Sequence, residues 1–272
     1  MRIALTIAGS DSSGGAGIQA DLKTFAAFGL YGASAVTAIT AQSTSGIEAT
    51  LALAADLVTA QIEAVAGDLT IDATKIGMLA NAAIVEAVAA AIAELDLPLI
   101  VVDPVLVSSS GERLLDDDGV RALCAGLLPL ARVVTPNLPE AEALSERRIA
   151  SMDDARDAAR RIQEMGAAAV IITGGHGLGP GTKDQEPGTE IVDLLFDGCD
   201  FHEFRTPRVD SRHTHGTGCT YASAVAAGLA LGLALPEAAA RAQSYVAGAI
   251  RHAPGIGHGR GPLDHFWERR SG

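Results

Sequence analysis

Short, unbroken apolar runs alternate with alanine-rich stretches of helical spacing along almost the whole chain, and this alternation limits the folds open to it. Runs of strand character fall at residues 3–8, 33–38, 73–76, 99–102, 132–135, 168–173, 190–196 and 202–206. Between them lie helical stretches at 15–28, 54–67, 82–95, 117–127, 139–145, 153–165, 217–233 and 237–252. A run such as Ile100-Val101-Val102 shows no polar alternation. It must be covered on both faces, which an α/β fold achieves by holding a largely parallel sheet between two layers of helices. Residues 174–188 form the one long stretch rich in Gly, Pro and polar residues and read as a surface loop. The sequence shows no fixed-period repeat and no linker, so the expectation is a single domain, 1–272, of three-layer α/β architecture.

Charge narrows the partners. The 272 residues hold 20 Lys+Arg against 33 Asp+Glu, a net charge of −13. The general electrostatic footprint of a nucleic-acid or anionic-membrane binder is therefore missing. Cys124, Cys199 and Cys219 are far apart and form no CxxC pair. A disulfide framework or structural zinc site is not expected, whereas a reducing, cytoplasmic setting is. The apolar run at the N-terminus is too short for a signal peptide. Residues 219–235 carry no charge, but they are rich in Ala, Gly and Ser and at the lower length limit of a membrane span. They read as a central helix of a soluble domain.

Ligands of a parallel sheet bind beyond the carboxyl ends of its strands, where loops lead into helix N-termini. Three clusters fall there. The first, Gly9-Ser10-Asp11-Ser12-Ser13-Gly14-Gly15-Ala16-Gly17, follows the first strand. Gly15-x-Gly17-x-x-Ala20 matches the outline of a dinucleotide fingerprint, but the second strand ends Thr40-Ala41-Gln42-Ser43 without the carboxylate that would bind a ribose hydroxyl. A Walker A loop is excluded because the chain contains no Gly-Lys. What remains is a small-ligand loop or a tight turn whose glycines only permit unusual backbone angles.

The second cluster is Val101-Val102-Asp103-Pro104-Val105, with Thr135-Pro136-Asn137-Leu138-Pro139-Glu140 after the next strand. Asp103, at the end of a buried strand, is suited to hold Mg²⁺ through water. Asn137 and Glu140 open the next helix, where they either join a metal–nucleotide site or simply cap it. The third and sharpest cluster is His213-Thr214-His215-Gly216-Thr217-Gly218-Cys219-Thr220. Gly216, Thr217, Gly218 and Cys219 would present successive N–H groups at the positive end of a helix dipole, a cradle for charge on a transferring phosphoryl group. Cys219 would have its thiolate favoured there and could accept a proton from a substrate hydroxyl, or it could be a small buried hydrophobe. His213 and His215 lack a third metal ligand nearby and read as polar loop histidines. The combination points to phosphoryl transfer by positioning, Mg²⁺ and backbone dipoles.

These clusters lie in longer runs, among them Leu5-Thr6-Ile7-Ala8-Gly9-Ser10-Asp11, Ser13-Gly14-Gly15-Ala16-Gly17-Ile18-Gln19-Ala20-Asp21, Thr74-Lys75-Ile76-Gly77-Met78-Leu79 and Gly174-Gly175-His176. In order and across the chain, the runs resemble the bacterial hydroxymethylpyrimidine/phosphomethylpyrimidine kinases of thiamine biosynthesis, within the ribokinase-like superfamily. The resemblance implies a ribokinase-like sandwich and phosphorylation by ATP, with Mg²⁺, of 4-amino-5-hydroxymethyl-2-methylpyrimidine and then of its monophosphate. It also implies a homodimer. On the same resemblance Gln42 would meet the aminopyrimidine edge, offering donor and acceptor together. Gly9 would contribute backbone, Asp21 would lie alongside, and Met78 and Val105 would pack on the ring. Cys219 would be the base and Gly216, Thr217 and Gly218 the anion hole. Asp103 and Glu140 would organise Mg²⁺ and phosphates, with Asn137 and Thr173 on the nucleotide side, and residues 108–113 would close over the site.

One departure stands out. Where the family commonly has Lys before Gly174, this chain has Thr173, and Arg113 or a metal ion would have to supply the missing charge. Two other readings remain open. A pyridoxine or pyridoxal kinase of the same fold is disfavoured by Gln42, because pyridoxine carries a phenolic oxygen where the pyrimidine has its amino group. A binding protein without turnover is favoured by Thr173 alone.

Overall fold

The computed structural model describes residues 1–108, 111–176 and 190–270. Its strands are β1 (Ile3–Asp11), β2 (Tyr31–Ser43), β3 (Gly46–Ala52), β4 (Ala73–Ile76), β5 (Ile100–Val102), β6 (Val133–Val134), β7 (Val170–Ile172), β8 (Glu190–Phe196) and β9 (Phe201–Pro207). They form one sheet in the order β3-β2-β1-β4-β5-β6-β7-β8-β9. The run from β2 to β7 is parallel throughout. Antiparallel β3 closes one edge, and antiparallel β8 and β9 close the other.

The helices are α1 (Gly17–Ala27), α2 (Ala55–Ala66), α3 (Ala82–Glu94), α4 (Asp117–Ala122), α5 (Leu138–Ser145), α6 (Met152–Glu164), α7 (Thr217–Ala230), α8 (Leu235–Arg251) and α9 (Trp267–Arg270). Successive strand residues feed opposite layers, as the two-residue period of a strand requires. Leu5, Ile7, Ile76, Val102 and Ile172 pack with Ile62, Val88 and Ile162 of α2, α3 and α6. Ala4, Ala73, Val101, Val133 and Ile171 pack with Phe25, Val225 and Tyr245 of α1, α7 and α8. The three expected layers are present.

Two elements differ most from the sequence reading. β3 was not expected, because Glu48, Ala49, Thr50 and Leu51 are exposed on an edge strand and give no buried pattern. The single helix expected over 117–127 stops as α4 at Ala122 and continues as a π-helical turn, Leu123–Leu127. Of residues 174–188, expected as a surface loop, Gly174–His176 form a short 3-10 turn and 177–188 lie outside the described residues, as do Ser109 and Ser110 of the expected closing loop.

The uncharged stretch after Cys219 is α7, buried at every residue from Thr220 to Ala230. Among the described residues no helix is long and apolar enough to cross a membrane. Small residues let α7 and α8 approach closely, since a Cβ on Gly228 would stand 2.9 Å from that of Ala238. Gly228→Leu should therefore force the two helices apart at a cost of about 3 kcal/mol. Urea unfolding monitored by circular dichroism checks this, and an unshifted midpoint would contradict it.

Candidate active site

On the α1/α7 face the sheet changes character along its strands. Ala4 sits beside Ala73, and two residues on, Thr6 sits beside Lys75. Lys75 in turn sits beside Val101, and Asp103 follows just past the strand. The apolar rows thus give way to Thr6, Lys75 and Asp103 at the carboxyl ends. Lys75 is fully buried and pairs with Asp21 at 3.0 Å and with Asp103 at 3.9 Å. Asp21 also accepts hydrogen bonds from Thr6 Oγ1 at 2.6 Å and Ser223 Oγ at 2.7 Å. Burial opposes a charge on Lys75, but Asp21, Cys219 and Asp103 override it and raise its proton affinity above the ordinary lysine range.

A cavity of about 930 Å³ opens above this row. Gly9, Gln42, Met78, Asp103, Val105, Asn137, Glu140, Thr173 and the Gly216, Thr217, Gly218, Cys219 run all line it. Asp21 does not. Expected alongside the substrate, it lies wholly inside the protein as the counter-ion of Lys75, below the cavity floor. Arg113 is likewise absent from the cavity wall. It bonds Asp117 and donates to Leu115 O, so it does not stand in for a lysine at 173.

The first and third clusters interlock. Gly216 adopts φ +83°, and a Cβ there would stand 1.9 Å from Gly15 O. A Cβ on Gly15 would stand 2.4 Å from His215 Cδ2. Only glycine fits either place. Gly216 is also the N-cap of α7 and brings no side-chain cap. Thr217 N–H turns back to Thr214 O at 3.3 Å, and the first-turn N–H groups of Gly218 and Cys219 are left directed out of the helix end. His215 is not the polar loop residue expected. It is 5% exposed and bonds Asp11 Oδ2 at 2.8 Å.

Cys219 lies partly exposed in the wall, but its thiolate is not favoured as expected. Desolvation is the largest influence. With Asp103 and Asp21 nearby it outweighs Lys75 and pushes the thiol up to about 12. Asp103 accepts a hydrogen bond from Cys219, and desolvation raises its carboxyl to about 6 against the pull of Lys75. Its Oδ2 is buried without a hydrogen bond.

Glu140 does cap α5. Asn137 N–H reaches its Oε2 at 3.0 Å, and Asn137 Oδ1 accepts from Glu140 N–H in return. Leu106 N–H reaches the other oxygen at 3.3 Å, just beyond Val105, whose φ of +40° is strained for a β-branched side chain. Burial, and then Asp103, raise Glu140 to about 8 despite these bonds. Two buried carboxylates, one with a bare oxygen, fit a hard cation whose remaining ligands are water and phosphate oxygens. Among the described residues no three His, Cys, Asp or Glu side chains could hold a metal by themselves.

Several cavity residues escaped the sequence reading. Asp193 accepts from Gly174 N–H at 2.8 Å and Gln243 Nε2 at 2.9 Å, beside the buried Tyr221, whose hydroxyl makes no hydrogen bond. Arg208 and Arg212 line the wall near Thr206. Lys75 alone left a signal, a charge inside the short apolar run Ala73-Thr74-Lys75-Ile76, which demands a buried partner.

The phosphomethylpyrimidine kinase family model matches residues 11–264. The chain is 47% identical over 262 residues to the thiamine biosynthesis bifunctional protein ThiED of Geobacter sulfurreducens, covering 96% of this chain but only 52% of that protein. It is 46% identical over 268 residues to the hydroxymethylpyrimidine/phosphomethylpyrimidine kinase of Bacillus subtilis, covering 98% and 96%. Among solved structures, an ADP complex of Bacillus subtilis pyridoxal kinase matches with a TM-score of 0.87 at 37% identity over 99% of both chains. A phosphomethylpyrimidine kinase from Clostridium difficile matches at 0.78 and 39% identity, over 90% of this chain and 98% of that one. The fold is that of a ribokinase-like kinase. Within that class, the chain belongs to the phosphomethylpyrimidine kinase family.

Removing Lys75 would leave Asp21 and Asp103 buried without a cation. Lys75→Met is expected to destabilise the fold by about 3–5 kcal/mol. Chemical denaturation measures it, and a midpoint equal to the parent's would remove the ion pair from its structural role.

Proposed function

We propose that this chain, acting as one domain, transfers the γ-phosphoryl group of ATP to 4-amino-5-hydroxymethyl-2-methylpyrimidine and then to the resulting monophosphate, in thiamine biosynthesis. One observation carries the reading. Gln42 and Met78 line the same cavity as the uncapped N-terminus of α7, with Cys219 in its first turn and Asp103 and Glu140 close by. The two Bacillus and Clostridium pyrimidine kinases named above support it, and the pyridoxal kinase held with ADP supports ATP as the phosphoryl donor. The proposal extends to a cytoplasmic homodimer.

In this reading Gln42 and Gly9 engage the aminopyrimidine edge while Met78 and Val105 cover the ring. The N–H groups of Gly218 and Cys219 meet the equatorial oxygens of the phosphoryl group in transit, where negative charge is concentrated. Cys219 Sγ takes the hydroxymethyl proton as the new O–P bond forms and the bond from the γ-phosphorus to ADP breaks, ADP leaving. Its own proton passes to Asp103, already its hydrogen-bond partner. Asp103 and Glu140 would hold Mg²⁺, which when bound offsets phosphate charge. Asn137 and Thr173 border the nucleotide side, and Arg208 and Arg212 supply the cations that Thr173 does not.

Pyridoxal phosphorylation is the second reading, favoured by the 0.87 TM-score to a pyridoxal kinase. Gln42 argues for the pyrimidine. ADP release from ATP and Mg²⁺, measured with each pyrimidine and with pyridoxine, separates them. Turnover of both pyrimidines well above pyridoxine is expected, and turnover of pyridoxine alone would reverse the assignment. Cys219→Ala should lower kcat by roughly 10²–10⁴-fold with little change in pyrimidine binding; a near-normal kcat would take Cys219 out of the proton transfer.

A further inference from the structure

The proposed reaction runs twice in one cavity, and the second acceptor carries a phosphate that the first lacks. At neutral pH a phosphate monoester holds close to two negative charges. In the second transfer one of its oxygens bonds to the γ-phosphorus as the bond from that phosphorus to ADP breaks. No proton has to move, because the attacking oxygen is already ionised. What this step needs is counter-charge rather than a base. The phosphoryl group in transit occupies the cradle at the start of α7, so the acceptor's own phosphate must lie outside it, between the ring and the cradle. Asp103 and Glu140 line the same cavity, and negative charge brought up to carboxylates is repelled unless a cation meets it.

Among the described residues, the Lys and Arg side chains lining the cavity are Arg208, Arg212 and Arg260. Arg208 and Arg212 follow the end of β9, where the reading above gives them to the nucleotide. Arg260 comes from a different loop, between α8 and α9, and its two neighbours in sequence fix where it stands. Gly259 N–H donates to Thr44 Oγ1 at 3.1 Å, in the turn that joins β2 to β3 just past Gln42. The Gly261 carbonyl accepts from His215 N–H at 3.1 Å, directly before Gly216, the N-cap of α7. Arg260 is thus suspended between the strand end that carries the ring contact and the loop that leads into the cradle.

The suspension is close-fitting. A Cβ on Gly259 would run into the Thr44 carbonyl, and one on Gly257, whose φ is +85°, into the Thr44 side chain. A Cβ on Gly261 would strike the His213 ring. Pro262 bridges to His215, and a Cβ on Gly15 would stand 3.2 Å from it. The flanking residues have no room for side chains, whereas the long side chain between them is exposed at the cavity wall. A guanidinium offers N–H donors in a planar fork that matches two oxygens of one phosphate.

We propose that Arg260 is the acceptor-phosphate residue of the second phosphorylation: its guanidinium binds the monophosphate of the pyrimidine between the ring contact and the cradle, and so distinguishes the second acceptor from the first. The proposal rests on the two-step kinase reading above.

The test measures initial rates with hydroxymethylpyrimidine and with its monophosphate as separate acceptors, with ATP and Mg²⁺, in the parent, Arg260→Gln and Arg260→Lys. In Arg260→Gln the ratio of kcat/KM for the monophosphate to that for the alcohol should fall roughly tenfold, the worth of about one hydrogen bond to a charged group. The change should lie in KM for the monophosphate, with KM for ATP within about twofold of the parent's. Arg260→Lys keeps the charge without the fork and should recover at least about a third of the parent ratio. An unchanged ratio in Arg260→Gln would overturn the proposal. So would an equal loss with both acceptors or a large rise in KM for ATP, either of which would hand Arg260 to the nucleotide or to the fold. Calorimetric titration of the pyrimidine monophosphate without ATP reads the contact alone, and its Kd should be roughly tenfold weaker in Arg260→Gln than in the parent. If the parent turns over neither pyrimidine, the kinase reading fails while this titration still answers for Arg260: a weaker Kd in the variant upholds its role, and equal Kd values or no binding to the parent refute it.

Discussion

The buried ion pair between Lys75 and Asp21 is the interaction on which the rest of the site depends. A fully buried ammonium is tolerated only when its charge is met at close range. Asp21 meets it at 3.0 Å and is itself held by Thr6 and Ser223, so β1, β4, α1 and α7 converge on one carboxylate. Lys75 is then left to Asp103 only at 3.9 Å. Taken as formal charges, one cation faces two carboxylates, and the excess negative charge sits at the cavity floor. Desolvation raises the Cys219 thiol and the Asp103 carboxyl, the excess negative charge adds to it, and the same excess suits the floor to a hard cation.

Above that floor the site is built from two loops that cannot be considered separately. The loop after β1 and the loop before α7 are far apart in the chain, yet Gly15 and Gly216 meet through backbone, and Asp11 bonds His215 across 204 residues of sequence. The contact orients the uncapped end of α7 relative to Gln42. In the proposed reading, acceptor recognition and the phosphoryl cradle are thus set by the same contacts.

Much of this was legible in the residue pattern. The apolar runs located the parallel strands and most helices, and the clusters after them proved to share one cavity. Where the reading failed, the causes are specific. Edge strand β3 buries too little to show a pattern. The helix after Asp117 widens to a π-turn at Leu123, which spacing does not announce. Asp21, placed alongside the substrate by the family resemblance, faces inward from α1 to Lys75. His215 looked like loop polarity because its partner is far away in sequence.

The sequence by itself determined the layered α/β fold, the positions where loops meet helix N-termini and the identity of the chemical groups placed there. Hydrophobic period and glycine placement are local properties, and a single chain displays them. Only the tertiary structure decided the charge state of those groups. Whether Cys219 is a thiol, Asp21 a counter-ion or His215 a donor depends on desolvation and on partners brought from distant strands, and neither exists until the sheet has formed.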